Sequence, residues 1–132
     1  KLDTFVEMRK KNYQYLRSQL EKVEGLMIAG ATPNSDPSWF GFPVVLNPES
    51  GVKRVDLLSY LDQNKIGTRL LFAGNLTRQP YMQGRNYRVS GSLANSDVVM
   101  EQTFWIGVQP ALTDDMLAYA AEHIARYLGA RF

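Results

Sequence analysis

Cysteine is absent from all 132 residues, and its absence removes a whole group of chemistries at once. Disulfides, zinc–thiolate centres, iron–sulfur ligation and thiol nucleophiles cannot come from this chain, and a reducing compartment, the cytoplasm, is the expected setting. Histidine is nearly absent too. The one residue, His123, leaves no second imidazole for a triad, and it falls beside the apolar stripe of its helix, where an exposed surface side chain is expected. No apolar run approaches the ~20 residues that span a bilayer. The opening KLDTFVEMRKKN carries no signal-peptide core, and with no initial methionine it is expected to belong to something longer. Charge of one sign is not in excess: 15 Lys+Arg face 13 Asp+Glu, which excludes a polycation built for nucleic acid or membrane surfaces. GxGxxG, phosphate-loop and metal-ligand spacings are all missing.

What remains is the composition of one globular domain, 45% hydrophobic, with a chain long enough to bury a core. Phe5, Met8, Leu16, Leu20 and Val23 recur at helical spacing, which predicts a long amphipathic helix over 3–23, ended near Gly25. Its KKNYQYLR stretch is an anion patch or, more simply, a solvated helix face. GATPNSDPS is a turn-rich connector, and WFGFPVVLN after it reads as a buried strand. A helix over 54–64 with Val55, Leu58 and Leu61 inward comes next, and Gly67 closes it into the strand TRLLF. An irregular region runs to Arg88, followed by a short helix over 96–102 capped by Asn95. TFWIGV is another buried strand, with Phe104 and Trp105 expected in the core. The last helix opens at Thr113 as cap, with Leu117, Ala120, Ala121, Ile124 and Leu128 as its stripe. Asp114 and Asp115 resemble paired carboxylates, but their place in the first turn of that helix already accounts for them. This order predicts a two-layer α/β or α+β fold, a small sheet of three to four strands packed by helices.

One interval stands apart. Between Asp62 and Asp97 there is no acidic residue, while Lys65, Arg69, Arg78, Arg85 and Arg88 lie there with Phe72, Tyr81 and Tyr87. Guanidinium groups take phosphate or carboxylate oxygens in forked geometry, and backbone amides near Gly74 or Gly84 add donors. An anionic ligand follows, either a small phosphorylated molecule or, through stacking and phosphate contacts, a single-stranded nucleic acid. Neither an RNP-like motif nor a GxxG clamp is present, so the small ligand leads.

The segments SWFGFPVVL, RVDLLSYLDQNKIGTRLLFAGNLTRQP, YRVSGSLANSDVVMEQTFWIGVQPALT and the closing helix resemble the C-terminal part of the sugar aminotransferase-like vitamin B6 enzymes, of the aspartate aminotransferase fold. FAGNLTRQP is similar to the 3-dehydrase branch, where ordinary sugar aminotransferases carry a loop with histidine and tyrosine; a small domain of such an aminotransferase is the alternative. The resemblance implies a single domain, 1–132, with a long helix over 1–25 and an α/β core over 38–132, packed on a large cofactor domain. The activity it implies is removal of the C3 hydroxyl of CDP-4-keto-6-deoxyglucose, for lipopolysaccharide deoxysugars, by a pyridoxamine or pyridoxal phosphate enzyme with histidine in place of the cofactor lysine. A two-iron, two-sulfur cluster, a flavin-dependent reductase and a homodimer are implied for the full-length enzyme. Cofactor and cluster are held by the large domain, so this chain is expected to bind neither and to supply no catalytic residue or metal ligand. Its implied share is substrate binding and closure: Arg69 and Arg78 toward the nucleotide diphosphate, Asn75 toward a sugar hydroxyl, and Phe72 and Trp39 against sugar or cofactor.

Overall fold

The computed structural model describes residues 1–129, so the last three positions of the expected 38–132 core lie outside the described residues. The chain runs α1 (Leu2–Leu20), β1 (Leu26–Ile28), β2 (Gly41–Leu46), α2 (Arg54–Gln63), β3 (Thr68–Leu70), α3 (Ala94–Gln102), β4 (Thr103–Gly107) and α4 (Asp114–Tyr127). Four strands in the order β1-β2-β4-β3 make one sheet, antiparallel at every step. The mixed α and β architecture expected from the sequence is therefore observed, with β1 as a strand the sequence did not suggest.

The two faces of the sheet differ chemically, and strand alternation is the cause. Phe42, Val44 and Leu46 of β2 and Phe104 and Ile106 of β4 point into the core, where Leu16 and Leu20 of α1, Leu57 and Leu61 of α2, and Leu117, Ala121 and Ile124 of α4 meet them. The alternate positions form the outer face. Register sets Pro43, Trp105 and Arg69 side by side across β2, β4 and β3. The expectation that Trp105 belongs to the core is therefore corrected: it is half-buried on the outer face, and of the pair Phe104 alone is fully buried. No residue of α3 joins the core cluster.

Several local expectations are corrected. In α1 the buried residues are Asn12, Tyr13, Leu16 and Leu20, whereas Phe5 and Met8 are exposed, because the first turns of the helix lie beyond the core. Of the two readings of KKNYQYLR the structure favours the solvated helix face: Lys10 pairs with Asp36 and Lys11 with Asp114 at the surface, while Asn12 and Tyr13 turn inward. Val55 is 65% exposed and α2 buries Leu57 with Leu61 instead, a shift of its apolar face that the sparse stripe did not disclose. The left-handed residue that ends α2 is Lys65, at φ 62°, not Gly67. Ile66 N–H reaches the Leu61 carbonyl and Lys65 N–H that of Asp62, the paired bonds of a Schellman end. Asn95 does not cap α3; Leu93 occupies that position and Ser92 Oγ accepts from the Ala94 amide. Thr113 does cap α4, its hydroxyl accepting from the Met116 amide at 3.3 Å.

Candidate functional site

Of the residues singled out in the sequence, Trp39, Arg69 and Phe72 lie on or beside the outer face. Gly41 makes this possible: a β-carbon there would lie 2.2 Å from Trp105 Cε3, so the indole rests flat over bare backbone. Phe40 leans on the same indole, ring centres 5.0 Å apart. A cavity of about 190 Å³ opens beside it, walled by Trp39, Phe40, Leu71, Phe72 and Trp105. Trp39 is held from below, stacked at 3.9 Å and nearly parallel on the buried ring of Tyr13, whose hydroxyl donates to the Ala29 carbonyl. Arg9 donates to the Trp39 carbonyl at 3.2 Å. Burial pushes the Tyr13 hydroxyl pKa up, opposed in part by Arg17.

Strand β3 stops at Leu70 rather than running through TRLLF, and the chain turns outward so that Phe72 is 79% exposed at the mouth of this cavity. Arg69, next to Trp105 in the cross-strand row, lines a neighbouring hollow with Gly67, Thr68 and Gly107. Its recorded hydrogen bond goes to the Thr68 carbonyl, at 3.0 Å. Trp39, Phe72 and Arg69 thus all border one indole.

Asn75 and Arg78 belong to the next turn of chain, and the structure places them against α3. Asn75 starts a three-residue turn, Leu76–Arg78, its Oδ1 accepting from the Thr77 amide at 3.0 Å, and its Nδ2 donates to Asp97 at 2.8 Å. Arg78 Nη1 lies 3.1 Å from Asp97 and 2.5 Å from Glu101. The interval that is acid-free in sequence is not acid-free in space. The Asn75 amide, and then the Arg78 guanidinium, hold the Asp97 carboxyl below its ordinary pKa. Arg78 is raised in turn, first by its bond to Glu101 and then by that to Asp97.

His123 departs from expectation: it is 9% exposed, because α4 packs on α2, and its Nδ1 meets the Tyr60 hydroxyl at 2.8 Å. Tyr119 covers the ring, centres 4.3 Å apart. A tyrosine on the facing helix was the signal that sequence alone could not connect to it. Arg54 was also missed. Its Nη1 donates to the carbonyls of Met100 at 2.6 Å and Thr103 at 2.9 Å, tying α2 to the end of α3.

The donor set can be tested against the groups that a vitamin B6 enzyme needs. Thiolates for an iron–sulfur cluster are absent from the chain, and among the described residues no cluster of three metal-ligating side chains exists. The aromatic cavity has neither an acid nor a base in its wall, so it can pack against a ring or sugar but not move a proton. No helix among the described residues is long and apolar enough to cross a membrane.

Comparison with known proteins gives a consistent picture. The DegT/DnrJ/EryC1/StrS aminotransferase family matches residues 1–125. The lipopolysaccharide biosynthesis protein RfbH of Salmonella typhimurium is 51% identical over 133 residues, 100% of this chain and 30% of its own length. The dTDP-4-dehydro-2,6-dideoxy-D-glucose 3-dehydratase of Saccharopolyspora spinosa is 44% identical over 128 residues, 97% of this chain and 28% of its own. Among solved structures, the Escherichia coli GDP-4-keto-6-deoxy-D-mannose-3-dehydratase with bound hydrated PLP matches with a TM-score of 0.85 at 26% identity, covering 94% of this chain and 32% of that one. The chain spans about a third of the length of the relatives it matches.

Proposed function

We propose, for a chain that belongs to the DegT/DnrJ/EryC1/StrS aminotransferase family, that residues 1–132 are the C-terminal small domain of a nucleotide-sugar 3-dehydrase. Its substrate is CDP-4-keto-6-deoxyglucose and its product serves lipopolysaccharide deoxysugar synthesis in the cytoplasm. The full-length enzyme is a homodimer that carries pyridoxamine phosphate and a two-iron, two-sulfur cluster and takes electrons from a flavin-dependent reductase. The observation that carries this reading is the row Pro43, Trp105, Arg69 on the open face, walled by Trp39 and Phe72. A flat aromatic wall with a cation at its edge suits a sugar joined to a diphosphate. Two relatives, at 51% and 44% identity, are a lipopolysaccharide biosynthesis protein and a sugar 3-dehydratase, which supports the substrate class.

Arg69 and Arg78 pair with the diphosphate, Asn75 acts from within, its buried amide shaping the loop that faces the sugar rather than meeting a hydroxyl itself, and Phe72 and Trp39 exclude water from the sugar or cofactor ring. When bound, pyridoxamine phosphate supplies the amine that activates the C4 ketone for loss of the C3 hydroxyl. Residues that hold it and the cluster lie outside this chain, which lacks thiolates altogether. The wall of the aromatic cavity has no titratable side chain, so its own share is packing rather than proton transfer.

Arg69→Gln in the intact protein tests the assignment. Loss of one charge-assisted phosphate contact is expected to raise the Michaelis constant for the CDP-sugar about tenfold with a smaller change in kcat. Unchanged kinetics would remove Arg69 from the site. An amino sugar formed from an amine donor, in place of the 3-deoxy product, would convert the reading to an aminotransferase.

A further inference from the structure

The loop that carries Asn75 and Arg78 takes its shape from helix α3. Within it, Asn75 Oδ1 accepts from both the Thr77 amide at 3.0 Å and the Thr77 hydroxyl at 2.7 Å. An asparagine amide has two unlike ends, and only one orientation puts its oxygen on Thr77. The other end settles which: Nδ2 meets Oδ1 of Asp97 at 2.8 Å, and the same carboxylate oxygen accepts from Arg78 Nη1 at 3.1 Å. Asn75 is only 4% exposed, so an amide left without these partners would be costly. Gly74 sits on the same helix, where a methyl group would come within 2.8 Å of Met100 Cβ. Arg54 in turn holds the Met100 and Thr103 carbonyls. The loop is thus seated on a helix that is itself tied to α2.

We infer that Asp97 is a positioning residue for the nucleotide-sugar site: it sets the Asn75 amide and aims the Arg78 guanidinium, and through them presents loop 73–79 to the diphosphate. This rests on the substrate reading above. Both recorded ion pairs of Arg78 use Nη1, so Nη2 and Nε stay available for a forked contact with phosphate oxygens. A carboxylate beside an anion site has two opposed effects. As a plain charge it repels the ligand, and removing it would tighten binding. As an orienting group its removal loosens the loop and weakens binding. The sign of the change separates the two roles.

In the intact protein, Asp97→Ala is expected to weaken binding of CDP, followed by titration calorimetry, about tenfold, the scale of one charge-assisted hydrogen bond. Glu101→Gln removes an equal charge from Arg78 without touching Asn75, and should leave the affinity unchanged or tighter. The exchange Asn75→Asp with Asp97→Asn re-forms a carboxylate–amide pair in the opposite sense, and should recover most of the loss. Amide hydrogen exchange at Thr77 is the second readout, faster in Asp97→Ala and restored in the exchange. Unchanged or tighter CDP binding by Asp97→Ala overturns the inference. Should the unaltered protein fail to bind CDP, the substrate reading falls, and Thr77 exchange alone decides: protection unaffected by Asp97→Ala overturns the positioning role as well.

Discussion

Replacing Gly41 by alanine adds one methyl group and, on this structure, moves the whole aromatic wall. The new carbon would stand 2.2 Å from Trp105 Cε3 and 2.8 Å from Cζ3, where carbon atoms need about 3.5–4.0 Å. The indole must therefore lift by about 1.5 Å to restore ordinary contact, or the strand ends must part where Gly41 faces Gly107. Overpacking of this kind costs about 1–3 kcal/mol. Trp105 lies on the outer face and can yield, which puts Gly41→Ala in the lower half of that range, about 1–2 kcal/mol. For a chain of this size the melting temperature should fall by roughly 4–7 °C. With Trp39→Phe as background, Trp105 is the sole tryptophan of these 132 residues, and its emission should shift to the red as the ring leaves Phe40 and the sheet. Gly67→Ala is the matched control: nothing lies within 4 Å of its added carbon, and its change should stay within about 0.5 kcal/mol. An alanine at position 41 that leaves both melting temperature and Trp105 emission at their starting values would refute the account of how the cavity is built.

Three further outcomes follow from single contacts. Asn12→Ala strips the Val108 and Gln109 carbonyls of a donor at 3.3 and 3.0 Å in a buried place, so it should cost about 1–3 kcal/mol, read as a lower denaturant midpoint at unchanged slope. Tyr60→Phe leaves His123 Nδ1 without its hydroxyl partner; a loss of about 1 kcal/mol and a changed imidazole nitrogen shift are expected, and an unmoved shift would show that the bond is not formed. Asp97 is held below the ordinary carboxyl value, by the Asn75 amide first and the Arg78 guanidinium next. Below about pH 4 the unfolded chain then binds more protons than the folded one, so the contribution of Asp97 is complete above about pH 4 and lost as pH falls through the lowered native value. A carboxyl-carbon titration of Asp97 with its midpoint at or above the ordinary value would count against the network.

How much of this could be read in the sequence depends on whether the cause is local. Helices α1 and α4 follow from 3.6-residue spacing, and β2 and β4 from short runs rich in branched and aromatic residues, so their existence was legible. What periodicity cannot supply is the phase against a neighbour. Val55 and Leu57 are both apolar, and only the packing of α2 on α4 decides that Leu57 goes inside. His123 is the same problem: its burial depends on Tyr60, 63 positions away in sequence. Strand β1 has three residues and no alternation to betray it, since Leu26, Met27 and Ile28 are all apolar.

The acid-free interval shows the limit most sharply. A stretch from Asp62 to Asp97 with five cations looks like an uncompensated positive surface, because sequence measures charge balance along the chain. Charge interacts through space, and the return of the chain at α3 sets Asp97 and Glu101 on Arg78. The same geometry does not discharge the whole interval, since Arg69 has Trp105 beside it and its recorded hydrogen bond goes to a backbone carbonyl. The two arginines of TRLLFAGNLTRQP, alike in sequence, are therefore unlike in role. Arg69 stands on the sheet at the cavity edge, whereas Arg78 reaches any anion only as part of a carboxylate-held unit whose net charge is negative. If both contribute to diphosphate binding, Arg69→Gln must cost more than Arg78→Gln. The reverse order of losses, measured as CDP affinity in the intact protein, would mean that the α3 carboxylates aim Arg78 well enough to outweigh the charge they take from it.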